Sequence, residues 1–211
     1  MKEVAIIGGG ILGLAIGYEL GKQYPKFKIS LFEKETRIGQ HQSGNNSGVL
    51  HCGLYYQPGS LKAKLAVDGI QEMVSFCENN KIEHEICGKI VVASNERENG
   101  LLENLALRGE KNGLKGLQFL NQSELKKREP YVKASKALLV PQEGIVDYMQ
   151  VMESFSAFII ENGGQVYLNN KVNEAIPLKD GKILIRTEHF EKEYDLIINC
   201  TGLFSDRTYT S

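Results

Sequence analysis

Three glycines and one acid carry the strongest chemical signal in this 211-residue sequence. Gly8, Gly10 and Gly13 spell G-x-G-x-x-G, and Glu33 lies twenty positions beyond the last of them. In that pattern the first glycine permits a tight turn. The second lets a pyrophosphate approach the backbone, and the third lets a helix pack close to a strand. A helix opening at such a turn offers N–H groups and a partial positive charge to phosphates. A carboxylate at the end of the next strand accepts a hydrogen bond from a ribose hydroxyl, and it repels a 2′-phosphate, which disfavours NADP. The chemistry is the binding of the ADP half of a dinucleotide.

That chemistry needs a βαβ unit, and the flanking residues supply one. Residues 4–7 (Val-Ala-Ile-Ile) read as a buried strand, 11–23 as a helix and 28–33 as a second, parallel strand. Farther on, the spacing predicts helices over 60–79, 96–112, 122–129 and 148–162. Leu61, Leu65, Met73 and Cys77 share one face of the first. Asn121 and Glu124 form a capping box. Strands are expected over 85–93, 117–120, 137–140, 165–168, 171–176 and 182–187, the last two joined by a turn at Asp180-Gly181. A final strand, 194–199, runs into Cys200-Thr201-Gly202.

Composition narrows the class. With 42% hydrophobic and 24% charged residues the chain reads as globular. A net charge of −1 gives no electrostatic footprint for nucleic acid. Cys52, Cys77, Cys87 and Cys200 form no Cys-x-x-Cys pair, which argues against a metal site and for a reducing compartment. Strand-like sequence begins at Val4, so no targeting segment is expected. The apolar stretch 4–20 is too short and glycine-rich to span a bilayer. The expectation is a cytoplasmic protein, with peripheral attachment to the inner membrane face left open.

The loop after Glu33 helps to choose between FAD and NAD. An NAD dehydrogenase continues directly with another helix and parallel strand. Here residues 34–58 are rich in Gly, Ser, Asn and Gln, and such a segment can lie along a second phosphate and a flavin. The late strand-to-glycine turn at Thr201-Gly202 brings the chain back to the nucleotide, as in flavoproteins with an inserted substrate region. The run His41-Gln-Ser-Gly-Asn-Asn-Ser-Gly-Val-Leu-His-Cys-Gly-Leu-Tyr-Tyr56 resembles the signature of L-2-hydroxyglutarate oxidases and dehydrogenases. These belong to the FAD-dependent D-amino acid oxidase-like (DAO) family. Ser60–Leu65, Cys87–Lys89, Glu129–Tyr131, Gly144–Tyr148 and Cys200–Arg207 extend the resemblance along the chain.

The resemblance implies an α/β fold: a Rossmann-type FAD-binding domain with an inserted mixed α+β substrate domain, truncated at about half the length of a typical member. The expected divisions are 1–80 for the first part of the FAD domain, 81–165 for the substrate region and 166–211 for the return. It further implies that FAD takes a hydride from C2 of L-2-hydroxyglutarate, a 2-hydroxy dicarboxylate, giving 2-oxoglutarate. Oxygen or a membrane quinone then reoxidises the flavin. The implied FAD contacts are Gly8, Gly10, Ile11, Leu12, Gly13, Glu33, Lys34, Ser43, Asn46, Ser47, Gly48, Val172, Thr201 and Gly202.

Hydride loss from an alcohol needs a base for the hydroxyl proton. His51 is the first candidate, with hydrogen bonding to the flavin or to its own loop as its other role. His41 is the second candidate, and reads rather as a loop-ordering residue. Tyr55, Tyr56, Lys62 and Lys89 are candidates for holding a dicarboxylate, whereas Lys64 reads as a solvated helix residue. Cys52 and Cys200 read as small buried residues. Two other readings stay open: an amino acid or amine oxidase of the same family, and a nucleotide-binding fragment without activity.

Overall fold

The computed structural model describes residues 2–209. Along the chain run β1 (Glu3–Ile7), α1 (Ile11–Gln23), β2 (Lys28–Phe32), β3 (Val49–Leu50), α2 (Leu61–Asn80), β4 (His84–Glu85) and β5 (Lys89–Ala93). Then follow α3 (Glu96–Lys111), β6 (Gln118–Leu120), α4 (Gln122–Arg128), β7 (Lys136–Val140), β8 (Gly144–Val146), α5 (Tyr148–Glu161) and β9 (Gln165–Tyr167). The last elements are β10 (Val172–Pro177), β11 (Ile183–Thr187), β12 (Glu191–Tyr194), β13 (Leu196–Asn199) and a 3-10 helix, Gly202–Tyr209. The chain divides into two compact units, residues 1–47 with 148–211, and residues 48–147. These divisions fall elsewhere than the expected 80/81 and 165/166. The reason is that α2 packs in the second unit, through Val67 and Ile70, while α5 packs on α1 in the first.

The first unit is the expected Rossmann-type start. Its parallel sheet has the order β13-β1-β2-β9. Side chains alternate along β1, so its two faces bury different partners. Ile6 points toward α1 and α5, where a Cβ at Gly17 would stand 2.6 Å from Ile159 Cδ1. Tyr18 packs its ring on Phe155 and Phe158 in the same layer. Ala5 and Ile7 point the other way, onto Phe32, Ile185 and Tyr194 beneath the antiparallel sheet β10-β11-β12. Each fully buried side chain of this size contributes about 1.5–3 kcal/mol.

One expected strand proves to be two. Residues 194–199 read as a single apolar run, but β12 closes the antiparallel sheet and β13 joins β1. The chain crosses between sheets at Asp195. Its N–H donates to Glu3 O at 2.9 Å and its carboxylate accepts from Glu3 N at 2.7 Å.

The second unit holds two small antiparallel sheets, β3-β8-β4 and β5-β7-β6. The expected strand 85–93 is broken at Gly88, whose φ is +74° and whose N–H donates to Glu143 O at 2.8 Å. The capping box at Asn121 and Glu124 is present at the start of α4. The expected apolar face of α2 is only partly used. Cys77 is buried, but Leu61 and Leu65 are 71% and 60% exposed. The buried core lies instead around Cys52, Leu54, Leu102, Leu138 and Val140. Among the described residues no helix is long and apolar enough to cross a membrane. No group of three or more His, Cys, Asp or Glu among them is placed to hold a metal.

Candidate functional site

The first unit carries a cleft of about 600 Å³ at the carboxyl ends of β1, β2 and β13, where open α/β sheets bind ligands. Its floor is the glycine turn. Gly8 has φ +114°, and a Cβ there would stand 2.4 Å from Cys200 O. A Cβ at Gly13 would stand 2.1 Å from Gly8 O, so α1 can start this close to the turn only with glycine. Gly10 is the N-cap of α1 and brings no side-chain cap, and the first turn holds no acid. The hydroxyl of Ser43 accepts from Ile11 N at 2.9 Å, which pins the following loop to the helix N-terminus. That terminus is electrostatically suited to a phosphate.

Glu33 is buried beside the turn. Its Oε2 accepts from Gly9 N at 2.7 Å and its Oε1 from Glu35 N at 2.9 Å. A carboxylate has about four acceptor positions, so acceptor capacity remains for a ribose diol. Asn170 donates its N–H to Glu33 O at 2.8 Å, and its own Oδ1 is buried with no hydrogen-bond partner on the cleft wall. Burial without a partner is costly. An acidic anchor, a helix N-terminus with no cap beyond the Ser43 contact at Ile11 N, and an unsatisfied wall acceptor fit the donors and the diphosphate of FAD.

Of the residues expected at the cofactor, Gly8, Gly10, Glu33, Lys34, Ser43, Val172, Thr201 and Gly202 line this cleft. Gly13 lies under the turn, Ile11 bonds Ser43, and Leu12 is exposed. Asn46 donates from Nδ2 to Ser43 O, shaping the loop rather than the wall. Ser47 and Gly48 are outside the lining, and Gly48 O accepts from Val146 N at 2.8 Å in the second unit. Phe204 lines the cleft as well, and no motif singles it out as a contact. Lys34 Nζ stands 4.6 Å from its ring centroid and the His41 ring meets it edge-on at 6.0 Å. Glu35 holds both Lys34 (2.8 Å) and His41 (2.9 Å), which fits the loop-ordering role expected of His41.

The second unit gathers the candidate catalytic residues. His51, Tyr55, Tyr56 and Glu143 line a pocket of about 120 Å³. Glu143, in the turn between β7 and β8, is 1% exposed. Its Oε2 lies 2.5 Å from Lys89 Nζ and 3.7 Å from His51 Nδ1, and its Oε1 accepts from Cys52 Sγ at 3.6 Å. Burial lowers the pKa of the Lys89 ammonium, but the adjoining Glu143 carboxylate and Tyr55 outweigh it, and the net direction is upward. Burial first, and then the Glu143 charge, push the Cys52 thiol up to about 12. Cys52 therefore stays a protonated core residue. Lys89 also stacks on Tyr55 at 4.6 Å, and Lys62 on Tyr56 at 4.5 Å. Lys89 was expected to meet a substrate carboxylate; its charge is already engaged by Glu143. Sequence reasoning missed Glu143, since nothing in its neighbourhood announces a buried acid. A larger groove of about 660 Å³ along α3, near Leu101, Leu105 and Arg108, contains none of the residues singled out from the sequence.

The family model described as FAD dependent oxidoreductase, DAO, matches residues 3–210. The chain belongs to the FAD-dependent oxidoreductase (DAO) family. It is 46% identical to an L-2-hydroxyglutarate dehydrogenase of Indibacter alkaliphilus over 97% of this chain and 51% of that protein. It is 38% identical to the mitochondrial L-2-hydroxyglutarate dehydrogenase of Homo sapiens, over 97% of this chain and 47% of that one. The chain thus spans about half the length of the curated relatives it matches. Among solved structures, L-α-glycerophosphate oxidase from Mycoplasma pneumoniae with FAD bound superposes with a TM-score of 0.82. That match has 30% identity and covers 95% of this chain and 54% of that one. Glycine oxidase from Geobacillus kaustophilus, at 22% identity and covering 98% of this chain and 57% of that one, has a TM-score of 0.87, a likeness of fold. FAD is the cofactor of this DAO-family chain.

Proposed function

We propose that this chain holds FAD in the Gly8–Glu33 cleft and serves the oxidation of an L-2-hydroxy acid, L-2-hydroxyglutarate to 2-oxoglutarate. The observation that carries the reading is the nucleotide cleft, in a chain 46% identical to an L-2-hydroxyglutarate dehydrogenase. When bound, FAD supplies the acceptor for the hydride leaving C2.

The chain's own residues have three tasks. The α1 N-terminus and Glu33 hold the diphosphate and the ribose, and Ser43 keeps the loop against them. Thr201, Gly202 and the Val172 backbone bound the rest of the cleft. His51 takes the hydroxyl proton as the C2–H bond breaks, so that proton and hydride leave the alcohol separately. Tyr55, Tyr56, Lys62 and Lys89 are the donors for the substrate carboxylates. The proposed site residues also include Gly8, Gly10, Ile11, Leu12, Gly13, Lys34, Asn46, Ser47 and Gly48 on the cofactor side. Oxygen or a membrane quinone is the proposed final acceptor, with the protein cytoplasmic or peripheral on the inner membrane face.

The flavin spectrum tests the reading. Purified protein is expected to be yellow and to bleach anaerobically with L-2-hydroxyglutarate, but not with D-2-hydroxyglutarate or amino acids. Bleaching by amino acids instead would move the substrate to the amine class. A protein that stays colourless with added FAD would sink the enzyme reading.

A further inference from the structure

Glu143 is a buried acid to which the proposed reaction assigns no task. Burying a carboxylate is costly unless it is paired and hydrogen-bonded; this one has Lys89, Cys52 and His51 around it, and its Oε2 is buried without a hydrogen-bond partner. Lys89 neutralises it at 2.5 Å, Cys52 Sγ–H donates to Oε1 at 3.6 Å, and His51 presents Nδ1 at 3.7 Å from Oε2. The groups facing His51 in this cluster are thus Glu143, whose Oε2 also meets Lys89, and the pocket tyrosines Tyr55 and Tyr56. Tyr55 is tied to the Lys89 ammonium and Tyr56 to Lys62. Glu143 is the one acceptor among these placed at a ring nitrogen of His51.

We infer that Glu143 is a positioning residue for His51. It holds the neutral imidazole as the Nδ1–H tautomer and so leaves the Nε2 lone pair to receive a proton. The inference rests on the reading of His51 as the base. The hydrogen bond made by one ring nitrogen of a histidine decides what the other can do. At 3.7 Å the contact is longer than a hydrogen bond, and the inference requires a small turn of the ring to close it in the free chain. The His51 side chain is 50% exposed and has room to turn toward the carboxylate. Three distant segments build the arrangement. Gly88 N–H bonds Glu143 O, which sets Lys89 beside the acid, and β3 pairs with β8 to bring the segment after Leu50 to the same place. Lys89 neutralises the buried acid.

The test reads the tautomer without flavin or substrate. The 211-residue chain is labelled with 15N-histidine and observed at about pH 8.5, above the range where histidine is ordinarily charged. The His51 signals are those lost in His51→Asn. The wild-type chain is expected to show Nδ1–H at His51. The double variant Lys89→Met/Glu143→Leu removes acid and cation together, an exchange that is often neutral for stability. It is expected to show the Nε2–H form that free imidazole prefers. Glu143→Gln keeps an acceptor oxygen and is expected to retain Nδ1–H. An Nε2–H His51 in the wild-type chain overturns the inference whether or not the variants fold, and so does an unchanged Nδ1–H form in the double variant. A chain that passes this test but never bleaches with L-2-hydroxyglutarate keeps the Glu143–His51 orientation and loses the reaction.

Discussion

In the cleft proposed for the nucleotide the main chain supplies most of the polar groups: a turn at Gly8, the N–H groups opening α1, and a carboxylate that bonds Gly9 and Glu35 through their backbones. In the His51 cluster the atoms that meet belong to side chains, on His51, Glu143, Lys89 and Tyr55. A site made of backbone is fixed by where glycine is required, so it fails abruptly when a Cβ is added. A site made of side chains fails by degrees, because a lost group removes one interaction and leaves the fold standing.

The largest expected effect is therefore in the cleft. Gly13→Val puts branched carbon at a position where even a single Cβ would stand 2.1 Å from the Gly8 carbonyl oxygen. A clash with backbone costs about 3 kcal/mol or more, beyond ordinary overpacking. The variant is expected to purify without flavin and to melt well below the wild-type chain, read by absorption and thermal denaturation. A yellow variant of unchanged Tm would remove the close helix-to-turn approach from the account.

In the other region, His51→Gln is expected to slow flavin bleaching by about 10²–10⁴-fold, the usual contribution of a general base. Flavin content should stay the same. Equal loss of flavin would mean that His51 supports the cofactor and not the proton transfer. Glu33→Gln comes next. Hydrogen bonds to a charged acceptor contribute about 1.5–3 kcal/mol each, so weakening them should raise the Kd for FAD by about 10–100-fold in fluorescence titration. An unchanged Kd would free Glu33 from any cofactor role.

The same contrast explains what the sequence disclosed. The Gly8–Gly13 turn, the Asn121–Glu124 capping box and the turn at Gly181 depend on residues within a few positions of one another, and each is where the spacing places it. The break at Asp195 depends on Glu3, at the opposite end of the chain. The Glu143 cluster joins residues 38, 54 and 92 positions apart, as the numbers of His51, Lys89 and Glu143 show. No local periodicity encodes such pairings. The exposed Leu61 and Leu65 show the converse limit: helical spacing gives a shared face without saying what covers it.

The remaining expected effect is on stability in alkali and vanishes near neutral pH. The Cys52 thiol is raised from 9.0 to about 12 by burial and by Glu143. An unfolded thiol ionises above about 9, while the folded one keeps its proton. The stability linked to Cys52 is complete below that point and is lost as pH rises toward 12, by at most about 1.4 kcal/mol per pH unit. Urea midpoints measured between about pH 8 and 11 should fall less steeply in Cys52→Ala than in the wild-type chain. Parallel slopes would place the alkaline loss on other groups.

Titration of the flavin-free chain with FAD, followed by flavin fluorescence with ADP as competitor, tests the central claim most directly. Saturable binding of one FAD per chain, displaced by ADP and lost in Gly13→Val, is the predicted result. A folded chain that binds no FAD, or whose FAD is untouched by ADP, would contradict the assignment of the Gly8–Glu33 cleft.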